Sequence, residues 1–136
     1  MNIAQQKMRD DTRELLGVTG CRSLRELRER AIMFPCQSSH ADMLHGIVQA
    51  GDHWVSWCDA GTWSHDVHDT REEAAQTVMA GMKILYEDFH AERMERDGLS
   101  VVVGENRDGN GNLIGWSFSL DSDGLNHGFD ECYGEY

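Results

Sequence analysis

A short segment at residues 63–70, WSHDVHDT, carries residue types that bind metal ions. Its two histidines, His65 and His68, are three residues apart, which brings two imidazoles to one divalent ion if the segment is a helix or a turn. Further donors are available elsewhere in the chain, namely His40, His45 and Cys58. A small metal-dependent enzyme using the His/Asp cluster at 65–69 is therefore one hypothesis.

The competing interpretation is that these are solvated histidines of a loop. The chain has no HExxH pattern and no CxxC pair, and Asp69 is positioned to cap the helix that follows. GxSxG, Walker and Rossmann glycine patterns are absent as well. We therefore predict a non-enzymatic protein without a cofactor, and keep His65 and His68 as the alternative site.

A second candidate for metal chemistry is the loop RDGNGNLIGW at 107–116. The spacing of an EF-hand calcium loop is matched from its first position to its eighth, by Asn106, Asp108, Asn110, Gly111 and Leu113. Position twelve, which needs a bidentate Glu, is Ser117. Asp-Gly and Asn-Gly are also strong hairpin signals, and the flanking segments have strand character, so we predict a turn between two strands.

The C-terminal segment 121–136 combines acidic and aromatic residues and contains no Lys or Arg. Such a surface suits docking on a basic protein, since charge speeds encounter while buried aromatic rings supply much of the affinity. The alternative is a polar, loop-like tail with its aromatics folded onto the core. The predicted partner-binding residues, called here the C-terminal acidic surface, are Asp121, Asp123, Phe129, Asp130, Glu131, Tyr133 and Tyr136.

The charge balance limits the classes of partner. The chain has 12 basic and 24 acidic side chains, a formal net charge of −12. Seven of the basic residues lie in 1–34, so the remainder is strongly acidic. This field repels nucleic acid and anionic membranes and favours a basic protein or nucleoprotein complex as partner. We predict an inhibitor that mimics nucleic-acid charge and blocks a nucleic-acid-binding site, as anti-defence and immunity-type proteins do.

Composition also predicts the compartment. No apolar run approaches the ~20 residues that span a bilayer, and the first residues, MNIAQQKMRDDTRELL, carry charges where a signal peptide is apolar. The four cysteines are scattered, as is usual for reduced thiols. These features lead us to expect a soluble, cytoplasmic protein.

Two helices are predicted in residues 1–34. Gly17 and Gly20 end the first helix, and Ser23 with Glu26 forms a capping box at the start of the second. In the second helix Leu24 and Leu27 recur at helical spacing, which suits internal packing and a homodimer face equally.

Residues 40–120 form the predicted core. Strands are expected near 43–49 and 53–58, followed by a long helix from Thr70 to Gly98 and then two strands, LSVVVGEN and NLIGWSFSL. The apolar stripe of the long helix is Ala75, Val78, Met82, Leu85 and Phe89. The prediction is a single α+β domain over 1–136: two N-terminal helices, then a ββαββ-like unit whose antiparallel sheet packs against one long helix.

Overall fold

The α+β class and the packing of a long helix against an antiparallel sheet are confirmed. A computed structural model describes residues 2–34, 44–59, 63–122 and 125–133; Leu44, Asp59, Trp63 and the residues from 121 onwards are described by their backbone alone. The elements in chain order are α1 (Ile3–Thr19), α2 (Leu24–Arg30), β1 (Ile32–Met33), β2 (Leu44–Ala50), β3 (His53–Asp59), β4 (Trp63–His68), α3 (Arg71–Asp97), β5 (Ser100–Arg107), β6 (Leu113–Ser122) and β7 (Leu125–Tyr133).

The helices begin and end at residues suited to those positions. The side chains of Ser23 and Thr70 accept hydrogen bonds from backbone N–H groups in the first turns of α2 and α3. Glu26 differs from the predicted capping box, because its carboxylate accepts from the N–H of Arg22 at 3.0 Å. Gly98 closes α3 in the left-handed conformation, with φ 64°. In the described part of the chain, no helix has the length and apolarity needed to cross a membrane.

The strands divide into two antiparallel sheets rather than one. The first sheet has the order β1-β2-β3-β4 and the second has the order β5-β6-β7. The predicted strands near 43–49 and 53–58 are confirmed as β2 and β3. Two segments interpreted as loops are strands instead: WSHDVH forms β4 at the edge of the first sheet, and the C-terminal segment supplies β7. Backbone pairing to β3 and β6 explains both, because it overrides the loop-like composition.

The long helix α3 covers one core cluster. Val78, Met82 and Tyr86 are buried on α3 and belong to the same cluster as Trp116 and Phe118 of β6. Tyr86 was not part of the predicted apolar stripe, and it is buried where Leu85 and Phe89 were expected. Leu85 is only half-buried, and Phe89 is 61% exposed. The prediction of Phe89 as a core residue is therefore wrong: the buried side of α3 runs through Met82 and Tyr86 and continues to Met94, and Phe89 lies beside it.

A second cluster lies on the opposite face of the first sheet. Side chains alternate between the two faces of a strand, so Ile47 belongs to the α3 cluster while Val48 belongs to this one. Leu15 of α1 and Leu27 of α2, each with no exposed surface, pack here beside Trp57. Internal packing thus uses Leu27, and Leu24 packs against the same cluster. The alternative of a homodimer face thus loses Leu27, which has no exposed surface, whereas Leu24 keeps part of its surface exposed.

Candidate functional site

The structure does not bring His65 and His68 together. Both lie on β4, where residues three apart point to opposite faces. Nε2 of His65 is 3.9 Å from a carboxylate oxygen of Glu14 on α1. Nε2 of His68 is 2.8 Å from the hydroxyl oxygen of Ser56 on β3. A spacing of three converges on a helix and diverges on a strand, so the two histidines of the alternative metal site do not face one ion.

The same holds for the other metal-binding residue types among the side chains that the structure describes. These contain no group of three or more His, Cys, Asp or Glu residues that could hold a metal ion. His45 and Cys58, which we considered as further donors, pair with each other in the register of β2 and β3. His40 lies outside the described residues.

The loop at 107–116 is a hairpin connection, as predicted. It joins β5 to β6, so strands rather than helices flank it. One carboxylate oxygen of Asp108 accepts from the backbone N–H of Asn110 at 2.8 Å and of Asn112 at 3.0 Å. These hydrogen bonds hold the pKa of Asp108 below its ordinary value. Gly111 takes the left-handed conformation that the turn requires, with φ 83°.

Arg107 connects this hairpin to the first turn of α3. Its guanidinium donates to both carboxylate oxygens of Glu72, at 2.8 and 3.2 Å, and to the carboxylate of Glu105 at 2.9 Å. It also donates to the carbonyl oxygen of Gly111 at 2.9 Å. The pKa of Glu72 is lowered, first of all by the hydrogen bond from Arg107. The carboxylates of Glu72 and Glu105 therefore form ion pairs with Arg107 that connect the hairpin to α3.

Five of the seven residues of the C-terminal acidic surface lie on two neighbouring strands. Asp121 is in β6, opposite Asn126. The other four lie on β7. Phe129, Asp130 and Glu131 are opposite Ser119, Phe118 and Ser117 of β6, and Tyr133 is opposite Gly115. The last two residues of the set, Asp123 and Tyr136, lie outside the described residues.

The position of β7 gives this segment an unpaired side. Within the described residues β7 is the edge strand of the second sheet and pairs only with β6. An edge strand presents backbone N–H and C=O groups that can pair with another chain. The segment expected as an acidic tail is thus an acidic strand at a sheet edge.

A cleft between α3 and the first sheet was not predicted from the sequence. It has a volume of about 340 Å³. The sheet supplies polar groups, and α3 supplies a mostly apolar wall. We call it the α3 cleft; its lining includes His45, Ser56, Cys58, Ser64 and Asp66 from the sheet and Thr77, Val78, Gly81, Ile84 and Leu85 from α3. These five sheet residues share one face because they are register partners or two residues apart. Trp57 and His65, which are partners in the register of β3 and β4, also line the cleft.

Comparison with known proteins returned no match among family models, curated proteins or solved structures.

Proposed function

We propose that the protein is a non-enzymatic binding protein whose C-terminal acidic surface docks on a basic protein or nucleoprotein complex and blocks its nucleic-acid-binding site. The observation that carries the proposal is the edge strand β7, which contains four of the seven residues and adjoins a fifth on β6. On this strand Phe129, Glu131 and Tyr133 are two residues apart, and alternate residues of a strand share one face.

Charge supports the class of partner. The whole chain has a net charge of −12, and residues 121–136 hold no Lys or Arg. A field of this sign attracts a basic surface and raises the association rate at low salt. It repels phosphate, so the same surface competes with nucleic acid for a basic groove and does not bind nucleic acid itself.

The strand edge supports the mode of docking. A partner segment in extended conformation can add to an exposed edge, where backbone hydrogen bonds supply affinity and side chains supply specificity. Acidic residues along that edge disfavour pairing with a second copy of this chain, since like charges would be juxtaposed. The same residues favour a basic segment.

The test compares two variants with the same change in charge. The first variant, D121N/D123N/D130N/E131Q, neutralises the C-terminal acidic surface. The control, E73Q/D88N/E92Q/E95Q, neutralises four exposed residues of α3. Each tagged protein is incubated at low and at high salt with lysate of the organism that encodes it, and recovered proteins are quantified by mass spectrometry. Binding to the main recovered protein is then measured with purified components.

We expect a basic nucleic-acid-binding protein that is recovered by the wild type and the control. The first variant should bind about tenfold or more weakly and with a smaller salt dependence, since four interfacial charges of modest individual weight are lost. Added wild-type protein should displace nucleic acid from the partner. Equal loss of binding in both variants would show a general charge effect and contradict docking at β7.

A further inference from the structure

The α3 cleft has two chemically different walls. From the first sheet, His45 and Ser56 are each 3% exposed and line the cleft with hydroxyl and imidazole groups. From α3, Val78, Ile84 and Leu85 present aliphatic surface. Ligand sites combine apolar surface with a few placed polar groups, and pockets of about 300 to 1,000 Å³ are usual. At about 340 Å³ the cleft fits a small group with an aliphatic body and a polar end.

Gly81 gives a second, independent observation. It lies in the middle of α3, where glycine is unfavourable to helix stability. No atom lies within 4 Å of the position that its Cβ would take, so no neighbouring group requires glycine there. By contrast, a Cβ on Gly46 would lie 2.8 Å from the Trp57 ring. Gly81 lines the cleft, and its missing side chain keeps the space above the aliphatic wall open.

The charges around the cleft indicate whether the polar end of the ligand is positive or negative. Asp66, which is exposed, is the carboxylate in the described lining, which also holds two histidines, His45 and His65, and no Lys or Arg. The net charge of −12 adds to this preference. A separate open groove along α1 has the opposite character, because Arg9, Arg13 and Arg22 line it. An anionic ligand would therefore be disfavoured in the α3 cleft.

From these observations we infer that the α3 cleft binds an aliphatic cation, the chemistry shared by free alkylamines or alkylguanidines and by lysine or arginine side chains. The aliphatic body lies against Ile84 and Leu85, and the cation lies near Asp66. This site is on the first sheet and goes beyond the proposed function, which concerns β7 of the second sheet. Docking at β7 and cation binding in the α3 cleft can therefore be tested separately.

The first experiment titrates the wild-type protein with butylguanidinium and follows the methyl resonances of Val78, Ile84 and Leu85 by NMR. Butanol and butyrate serve as neutral and anionic probes of the same length. We expect saturable shifts with the cation, with a Kd on the order of 1 to 10 mM for a probe of this size. Butanol should bind more weakly and butyrate weakest. Equal binding of all three, or no saturable shift with the cation, would overturn the proposal.

Variants then locate the site. Gly81→Leu places a side chain over the aliphatic wall and should abolish the shifts. The control is Ala80→Leu, at an exposed neighbouring position that does not line the cleft, and it should bind as the wild type does. Asp66→Asn should weaken the cation about two- to fivefold, as expected for an exposed ion pair, and leave butanol unchanged. This surface variant keeps the proposal testable even if Gly81→Leu disturbs the helix. Unchanged affinity in both cleft variants would refute the assignment.

Two further probes distinguish the sources of the cation. Agmatine represents a free cation, and N-acetyl-arginine amide represents a side chain within a polypeptide. If the blocked arginine binds as tightly as butylguanidinium, the mouth accepts a main chain and the ligand is a protein side chain. If N-acetyl-arginine amide does not bind whereas agmatine does, the ligand is a free small molecule. Failure of both probes to bind would contradict both of the sources named for the ligand.

Discussion

Gly46 and Gly104 provide a paired test of how rigidly the core is packed. Each lies on a strand, and each has a neighbouring atom unusually close to the position that a Cβ would occupy. For Gly46 these atoms are Cζ2 and Cε2 of Trp57, at 2.8 and 2.9 Å, whereas for Gly104 the atom is the hydroxyl oxygen of Ser117, at 2.7 Å. The distances are nearly equal, but the atoms differ in their freedom to move.

The Trp57 ring is harder to displace than the hydroxyl of Ser117. Its side chain is 1% exposed and is packed in a cluster with Leu15, Leu27 and Val55. Carbon atoms in contact are ordinarily about 3.5 to 4.0 Å apart, so Gly46→Ala requires a displacement of roughly half an ångström or more. Overpacking of this kind costs about 1 to 3 kcal/mol. Ser117 is only half-buried and its hydroxyl can rotate, so we expect Gly104→Ala to stay within about 0.5 kcal/mol of the wild type.

The assay is urea denaturation followed by tryptophan fluorescence, together with thermal denaturation. For a chain of this size each kcal/mol lowers Tm by roughly 3 to 5 °C, so Gly46→Ala should melt at least about 3 °C lower and Gly104→Ala nearly unchanged. An unchanged denaturation slope would show that stability rather than the unfolded state has altered. If the two variants lost equal stability, or if Gly46→Ala were neutral, the reasoning from Trp57 would be refuted.

Three further substitutions test separate parts of the fold. Gly81→Ala should raise the free energy of unfolding by about 0.5 to 1 kcal/mol, because alanine favours the helical conformation more than glycine and no atom lies within 4 Å of the added Cβ. A lower Tm would contradict this. Leu27→Ala should cost about 2 to 5 kcal/mol in urea denaturation, since the side chain has no exposed surface, and sedimentation should show no change in mass. Glu72→Gln should lower Tm at pH 7. The pKa of Glu72 is lowered by Arg107, so its stabilisation is present above the ordinary value of 4.5 and is lost as pH falls through the folded-state pKa. The difference in Tm from the wild type should therefore vanish in acid, and a difference that persisted there would show that charge is not its cause.

Local signals predicted the helices and most of the strands. Ser23 caps α2 as expected, and α3 is capped by Thr70 rather than by its neighbour Asp69. A capping side chain acts on N–H groups only two or three residues away. The Asp108 turn formed for the same reason, since its hydrogen bonds lie within four residues. Such features depend on neighbours in the sequence, so a single chain reveals them.

Features that depend on distant neighbours were harder to predict. Phe89 has the correct periodicity for the buried stripe but is exposed, whereas Tyr86 is buried and its ring lies 5.4 Å from that of Phe118. From Met82 a helical step of three reaches Leu85 and a step of four reaches Tyr86, and periodicity alone does not decide which of them faces the sheet. β4 was missed for a related reason, since its pairing with β3 sets its structure.

The two histidines show how the assignment of an element decides whether a residue spacing can form a site. On a helix or turn, a spacing of three would have brought His65 and His68 to one ion, but on β4 it directs one towards α1 and the other towards Ser56. The α3 cleft shows the reverse case, because no spacing in the sequence relates His45 to Asp66. Each is tied to β3 by strand register, His45 opposite Cys58 and Asp66 opposite Ser56, and Gly81 reaches them only because α3 packs across that face. Gly81 was a signal available in advance, because a glycine within a helix, with no turn beside it, lowers helix stability and draws attention to that position.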